Sequence, residues 1–299
     1  MNAPAMPVAP LKTRSLGAIL VDTGKLTLDD AQRILRSQKE HGLLFGEAAI
    51  QLGLVTRKDM ELALADQYDY PYLLQTGNDE VAAELIAAYE PFSLEVEALR
   101  VLRIQLMLRW FTGEEGHRIL AIASPARGDG RSHLAANLAV VFSQLGEHTL
   151  LIDADLRNPR QHQLFKLDNR QGLSSMLSGR GERSMIQRIP SFVALSVLTA
   201  GPLPPNPQEL LGRPSFARLL DEMVREYDVV IVDTPAAADY ADVQIIAVRA
   251  GGALLLARNS RTRVAEFRDL SKTLGEAGVA LVGSVLNDPL PVKEASRKP

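Results

Sequence analysis

The stretch Ser124-Pro-Ala-Arg-Gly-Asp-Gly-Arg-Ser-His-Leu-Ala-Ala-Asn137 decides the fold of this chain. It is preceded by the apolar run Ile119–Ala123, which predicts a buried strand. Its end overlaps the run Leu134–Phe142, whose apolar residues have helical spacing. The sequence therefore predicts a strand, a glycine-rich turn and a helix in direct succession.

The turn has the chemistry of a phosphate-binding loop. Glycines let backbone N–H groups face phosphate oxygens, and the following helix N-terminus adds the positive end of its dipole. Ser132 stands where a hydroxyl normally reaches Mg²⁺, and Arg131 replaces the usual lysine. The planar fork of arginine suits nucleotide binding better than efficient phosphoryl transfer. A turn this short can also be purely structural. The expected nucleotide-binding residues are Gly128, Asp129, Gly130, Arg131, Ser132 and His133.

Two further apolar runs end in carboxylates. Asp153 and Asp155 follow the run that begins at Thr149, and Asp233 follows the run that begins at Tyr227. Continuous apolar runs are typical of buried parallel strands, and open α/β sheets bind ligands at the carboxyl edge of such strands. Any one of these carboxylates could be a turn or helix cap. Together with the loop, they predict a nucleotide and Mg²⁺ site.

Composition excludes several classes of protein. The 299 residues are 46% hydrophobic, with a net charge of −3 and no cysteine. This charge requires no nucleic-acid polymer or anionic membrane as partner, and the lack of cysteine excludes disulfides and thiolate metal sites. No run approaches the roughly 18 apolar residues that span a bilayer, so a cytoplasmic protein is expected. Residues 1–13 and 289–299 are predicted to be disordered tails.

The N-terminal part of the chain repeats itself. Gly46 follows Gly17 by 29 residues, and the segments 15–38 and 44–67 share their pattern of glycines and apolar positions. Thr27 and Thr56 are predicted to cap the second helix of each copy. We therefore predict a small helical tandem-repeat domain over residues 14–77.

This repeat resembles the N-terminal MshEN domain of type II secretion and type IV pilus ATPases, whose tandem motifs bind cyclic di-GMP. The family motif opens with Arg-Leu-Gly, whereas these copies open with Ser15-Leu-Gly17 and Leu44-Phe-Gly46. The alternative is a protein-docking domain that kept its packing glycines and lost the ligand. The positions that the resemblance assigns to cyclic di-GMP are Leu16, Gly17, Gly24, Gln38, Gly46, Gly53 and Gln67.

The repeat domain closes with Tyr68, Tyr70 and Tyr72. These tyrosines are either phosphoacceptors or an aromatic plug against the helices. The alanine-rich segment 78–91 ends at a proline and is predicted to be an interdomain connector. The second domain is expected over residues 92–288.

The second domain resembles the cytoplasmic domain of bacterial tyrosine kinases, which are MinD/ParA-like P-loop proteins. The resemblance covers about residues 90–288, and the short chain-length determinant kinases of exopolysaccharide clusters are the nearest type. It implies an α/β fold with a mostly parallel sheet. The motifs that carry it are Glu97-x-x-Arg100-x-x-Arg103, the P-loop, Asp153-Ala-Asp-Leu-Arg-Asn-Pro159, His162, Phe165 and Pro204-Pro-Asn-Pro-Gln-Glu-Leu-Leu211.

The resemblance assigns roles within the predicted site. It implies that ATP and Mg²⁺ bind at the loop, with Ser132, Asp155 and Asp233 serving the metal. Asp153 or Asp155 would orient or deprotonate the acceptor tyrosine, with Arg131 acting at the phosphates. Asn287 matches a position that contacts adenine, although it could equally be a strand-ending turn.

The resemblance also implies partners. The helix with Glu97, Arg100 and Arg103 would pack protomers into a ring; alternatively, it is a solvated, self-paired face. A membrane-anchored chain-length determinant protein would recruit the kinase to the inner membrane.

Two departures from the family pattern leave other functions open. Arg131 replaces the P-loop lysine, and the usual C-terminal tyrosine cluster is missing, the last tyrosine being Tyr240. A non-catalytic nucleotide switch is therefore the main alternative. A partition-type ATPase on DNA or membrane fits the fold but lacks a basic stretch or an amphipathic anchor.

Overall fold

The computed structural model describes residues 14–68, 70–74, 79–114 and 116–288. The described chain forms two compact units that divide after Pro71. The predicted tails 1–13 and 289–299 lie outside the described residues. None of the described helices is long and apolar enough to cross a bilayer.

Unit 1 repeats one helix pair with the same start to the second helix. Thr27 and Asp30 form a capping box, in which the hydroxyl accepts from the Asp30 N–H and the carboxylate accepts from the Thr27 N–H. Thr56 and Asp59 form the same box in the second copy. The predicted caps are therefore confirmed. The helices are α1 (Leu16–Asp22), α2 (Leu28–His41), α3 (Phe45–Gln51) and α4 (Arg57–Gln67).

The repeated glycines of unit 1 have packing roles. A Cβ at Gly17 would lie 3.1 Å from the ring of Phe45, and one at Gly46 would lie 2.9 Å from the terminal methyl of Met60. Both glycines thus allow close approach between helices around a core that includes the fully buried Ile34. Packing therefore accounts for this part of the repeat without a ligand.

Unit 2 is built on a sheet that has seven strands within the described residues, in the order β3-β4-β2-β5-β1-β6-β7. Every pairing is parallel except that of β3 with β4. The predicted mostly parallel α/β fold is confirmed. The strands are β1 (Ile119–Ala123), β2 (Thr149–Asp153), β3 (Gln187–Arg188), β4 (Leu195–Leu198), β5 (Val229–Asp233), β6 (Gly252–Arg258) and β7 (Ala280–Asn287).

Helices cover both faces of this sheet. Alternate residues of β1 join different cores: Leu120 and Ile122 join the core on one face, and Ala121 joins the core on the other. The central strands are therefore fully buried and apolar throughout. The helices are α5 (Ile86–Tyr89), α6 (Leu94–Arg109), α7 (Arg131–Gln144), α8 (Gln161–Leu164), α9 (Leu173–Leu177), α10 (Pro207–Gly212), α11 (Pro214–Met223), α12 (Asp242–Ala250) and α13 (Val264–Glu276).

The predicted connector 78–91 differs from the structure. Its described part belongs to the core of unit 2, where Leu85 is fully buried and helix is limited to α5. Asn137 of α7 accepts a hydrogen bond from the Ala87 N–H at 2.9 Å and donates one to the Glu84 carbonyl at 3.3 Å. Unit 2 therefore begins before residue 92, because α7 supplies polar partners that the sequence pattern does not reveal.

Candidate active site

The loop between β1 and α7 is shaped by glycine. Gly128 and Gly130 have φ of +80° and +106°, a region that strains other residues. A Cβ at Gly130 would also lie 2.4 Å from the side-chain nitrogen of Asn287. The fully buried Asp129 fixes the loop, since its carboxylate accepts hydrogen bonds from the Ala126 N–H and the Thr262 hydroxyl, each at 2.9 Å. The loop is thus held rigidly at the start of α7.

The side chain of Arg131 turns back into the protein. It is 7% exposed, and its Nε donates to the Thr234 carbonyl at 2.9 Å. Its Nη1 donates to Ser124 Oγ at 2.5 Å and to the Ala126 carbonyl at 2.8 Å. The guanidinium therefore joins the two ends of the loop to the end of β5, and its role at the phosphates stays a prediction.

Two of the predicted carboxylates meet at the edge of the sheet. β2 and β5 are in register, so Asp153 lies directly beside Asp233, and both are fully buried. Burial raises the pKa of Asp233 to about 6. Burial, followed by repulsion from Asp233, raises the pKa of Asp153 well above its ordinary value. The pair forms a buried acidic site that favours a bound proton or a cation.

Asp155 lies nearer to solvent than Asp153. It is 6% exposed, and its Oδ1 accepts hydrogen bonds from the N–H groups of Arg157 and Asn158 at 3.2 and 2.9 Å. Arg157 in turn pairs with the buried Asp242 at 2.7 Å and stacks on the ring of Tyr240. This network holds the Asp-x-Asp-x-Arg segment in place after β2.

His133 and Asn287 lie at the loop in different ways. His133 is an exposed residue of α7, and partial desolvation of its ring lowers its pKa. Asn287 donates from its side chain to the Asp129 carbonyl at 2.8 Å. Asn287 is therefore a neighbour of the loop, and its predicted contact with adenine remains untested.

Sequence reasoning missed Gln161. This residue is fully buried at the start of α8, and its amide donates to Asp233 Oδ2 at 2.8 Å and to the Ser132 carbonyl at 3.1 Å. Its backbone N–H donates to Asp153 Oδ2 at 2.9 Å. Glutamine belongs to no motif recognised in the sequence, so only its burial among these groups reveals it.

The residues at this edge suit a cation that phosphates help to hold. Among the described residues, no group of three or more acidic or histidine side chains could hold a metal by itself. Mg²⁺ commonly binds through one or two carboxylates together with substrate phosphates. The hydroxyl of Ser132, which lies close enough to Asp233 to oppose the rise in its pKa, and the carboxylate of Asp233 provide the protein side of such a site.

The three charged residues predicted for oligomerisation face different surroundings. Glu97 is exposed and pairs with Arg100 at 3.1 Å. Arg103 instead donates to the Val141 carbonyl of α7 at 2.6 Å. Part of the motif therefore anchors α6 to α7 within unit 2, and its role between protomers stays a prediction.

Comparison with known proteins identifies the family. No sequence profile of a protein family matches the chain. The tyrosine-protein kinase YwqD of Bacillus subtilis is 37% identical over 215 residues, which cover 72% of this chain and 90% of that protein. The tyrosine-protein kinase Etk of Escherichia coli is 35% identical over 202 residues, which cover 68% of this chain but 28% of the longer Etk.

Solved structures agree with these relatives. The kinase domain of Escherichia coli ETK has a TM-score of 0.67 and 33% identity, covering 77% of this chain and 90% of that one. The septum site-determining protein MinD of Pyrococcus horikoshii has a TM-score of 0.51 and 22% identity, covering 57% of this chain and 70% of that one, and supports the fold alone. The loop, the paired carboxylates and these similarities show that the chain belongs to the bacterial protein-tyrosine kinases.

Proposed function

We propose that unit 2 transfers a phosphoryl group from Mg·ATP to tyrosine hydroxyls at the loop 124–132. The observation that carries this proposal is the register of β2 with β5, in which Asp153 and Asp233 lie side by side at the carboxyl edge of the sheet. The N-terminus of α7 begins at the same edge and offers N–H groups to an anion. A phosphate site and an acidic site are thus adjacent.

The buried oxygens fit a hydrated cation. Asp153 Oδ1 and Asp233 Oδ1 have no hydrogen-bond partner among the described residues. Buried acceptors without partners are costly, and a bound ion with its water molecules would satisfy them. Ser132 and Asp233 would hold Mg²⁺, which neutralises charge on the phosphates. Asp155, also predicted to serve the metal, is assigned to the acceptor hydroxyl instead.

Asp155 is the better candidate to receive the proton of the acceptor tyrosine. It lies nearer to solvent than Asp153, and backbone N–H groups fix its carboxylate. Asp153 is fully buried, so an acceptor hydroxyl can reach it less readily than Asp155. Asp153 instead orients the segment after β2 through the N–H groups of Arg160 and Gln161.

Phosphotyrosine mapping tests this function. The chain is incubated with Mg·ATP, and mass spectrometry locates phosphate, with Tyr68, Tyr70 and Tyr72 as the hypothesised acceptors. Tyr68 is 75% exposed. The variant Asp155→Asn should form phosphotyrosine about 100-fold more slowly while still binding ADP. Asp239→Asn, an exposed carboxylate nearby, is the matched control. Wild-type rates in Asp155→Asn would exclude Asp155 as the base.

A nucleotide switch without catalysis is the second candidate. The observation that favours it is that the Arg131 guanidinium donates to the carbonyls of Thr234 and Ala126, so these N–H groups are committed to the protein rather than available to phosphates. ATP would then set the assembly state through binding alone. Assembly that responds equally to ATP and to a non-hydrolysable analogue, with no phosphotyrosine, would favour the switch.

For unit 1 we propose a cyclic di-GMP site, with protein docking as the alternative. An apolar pocket is lined by Leu16, Gly17, Leu28 and Phe45 of α1, α2 and α3. Arg14 precedes the pocket and pairs with Asp22. Its guanidinium supplies a cation one position before the arginine expected in the motif. The assigned Gln67 donates to the Arg14 carbonyl at 3.2 Å, and Gly24 and Gly53 have φ of +69° and +67°.

Calorimetry on the full chain tests the ligand. Micromolar binding of cyclic di-GMP, with none of cyclic di-AMP, is the expected result. An absence of heat with cyclic di-GMP would exclude the proposed ligand and favour protein docking as the function of unit 1. The variant Arg14→Met should weaken binding if the cation contacts the phosphates.

We further propose that the kinase controls the chain length of an exopolysaccharide together with a membrane-anchored chain-length determinant protein. This proposal rests on the sequence motifs shared with kinases of that type. Replacing the wild-type gene with an Asp155→Asn copy should shift the polymer size distribution, measured by gel filtration. An unchanged size distribution would show that phosphorylation by this kinase does not control polymer length.

A further inference from the structure

Gln161 links Asp153, Asp233 and the start of α7 within the proposed site. Its side-chain nitrogen lies 2.8 Å from Asp233 Oδ2 and 3.1 Å from the Ser132 carbonyl, and its backbone nitrogen lies 2.9 Å from Asp153 Oδ2. This one buried residue thus contacts the end of β5 and the start of α7 with its side chain, and the end of β2 with its backbone.

The orientation of the Gln161 amide follows from these partners. The Ser132 carbonyl can only accept a hydrogen bond, so the atom facing it must be the amide nitrogen. The amide oxygen Oε1 therefore points elsewhere, and it is buried without a hydrogen-bond partner among the described residues. Asp153 Oδ1 and Asp233 Oδ1 share this state. All three oxygens belong to residues that contact one another.

A glutamine with only a packing role would not leave its carbonyl in this state. A buried acceptor without a partner costs roughly 1–3 kcal/mol, which a methionine or leucine at the same position would avoid. Mg²⁺ gives up its water reluctantly and keeps several water molecules when bound. Those water molecules donate hydrogen bonds and need acceptors of the kind that these oxygens provide.

We propose that Gln161 is a positioning residue for the Mg²⁺ site: its amide nitrogen fixes the Asp233 carboxylate, and its Oε1 accepts from water held by the ion. The inference rests on the proposed Mg·ATP function. Groups that act through a metal's own ligands or water commonly change metal affinity by about 10–100-fold when removed.

Calorimetric titration of ADP into the full chain, with Mg²⁺ and with EDTA, tests this role without relying on activity. Gln161→Met keeps length and burial but removes the amide. We expect ADP affinity in EDTA to stay within about twofold and affinity in Mg²⁺ to fall about 10-fold or more. Gln163→Leu, an exposed glutamine on the same helix, is the matched control.

The outcomes separate the two proposals. Equal Mg²⁺ dependence in Gln161→Met and wild type overturns the role of Gln161, as does a lower melting temperature with that dependence unchanged. If Gln161→Met does not fold, Gln161→Asn keeps the amide on a shorter side chain, and full Mg²⁺ dependence in that variant likewise overturns the role. A wild-type chain that binds ADP equally with and without Mg²⁺ overturns the proposed function itself, and the inference with it.

Discussion

Arg131, which replaces the usual P-loop lysine, stabilises the loop to which it belongs. Its guanidinium joins Ser124 Oγ and the carbonyls of Ala126 and Thr234. Removing the charge with Arg131→Met would leave buried acceptors without partners, so we expect a loss of about 1–3 kcal/mol in the free energy of unfolding and weaker Mg·ATP binding. Arg131→Lys should keep binding because it keeps the charge. Urea unfolding and calorimetry measure the two effects.

Arg127→Met provides the control for this prediction. Arg127 belongs to the same loop, but its side chain is 60% exposed and pairs with Asp239 only at 3.8 Å. Arg127→Met should therefore change the free energy of unfolding little. Equal stability of Arg131→Met and Arg127→Met would mean that the buried guanidinium contributes nothing to the loop.

The Asp153–Asp233 pair should make stability depend on pH. The pKa of Asp233 rises from 3.8 to about 6 on folding, so the folded chain holds a proton that the unfolded chain has released. This contribution is complete below about pH 4 and is lost as the pH rises through 6, with a magnitude of about 3 kcal/mol. Asp233→Asn should reduce this fall in the free energy of unfolding with rising pH, and the variant should be more stable than wild type at pH 7.

Urea unfolding from pH 4 to 7.5, in EDTA and without nucleotide, measures this decline. Some slope should remain in Asp233→Asn, because burial also raises the pKa of Asp153. Asp239→Asn, on the exposed side of the following loop, should keep the full wild-type slope. Parallel curves for Asp233→Asn and wild type would contradict the raised pKa.

At the scale of elements, the segment before α6 behaves as part of unit 2. Asn137 accepts from the Ala87 N–H and donates to the carbonyls of Glu84 and His133. Asn137→Ala would leave the buried Ala87 N–H unpaired, at a cost of about 1–3 kcal/mol. Hydrogen exchange by mass spectrometry should show loss of protection over residues 81–89, while β1 keeps its protection.

Asn206→Ala is a suitable comparison for this element. Asn206 is exposed at the start of α10 and donates to Glu209 of that helix, so residues 81–89 should stay protected. Fast exchange of residues 81–89 in the wild-type chain would contradict their packing in unit 2 and support the predicted connector. The sequence pattern was alanine-rich with a terminal proline, which says nothing about a distant asparagine that binds the backbone.

At the scale of the whole molecule, the sequence predicts what local chemistry dictates. Continuous apolar runs identified β1, β2 and β5, and threonines identified the starts of α2 and α4, because strands and caps depend on neighbouring residues. The meeting of Asp153 with Asp233 also followed, since parallel strands share a carboxyl edge. The inward turn of Arg131 and the role of Gln161 depend on partners far along the chain, so no local pattern carries them.

Assembly is a property of the whole molecule, and we predict that α6 provides the surface for it. Leu94, Val101 and Leu108 recur every seven residues and are 86%, 53% and 71% exposed, beside the Glu97–Arg100 pair. An exposed stripe of this spacing is typical of a helix that packs against another protein surface. We predict that Val101→Glu with Leu108→Glu lowers the average mass in sedimentation velocity, because burying carboxylates opposes packing. The double variant Leu203→Glu with Val264→Glu, at exposed sites away from α6, should assemble normally. Equal sedimentation of both double variants and wild type would exclude α6 as the surface of assembly.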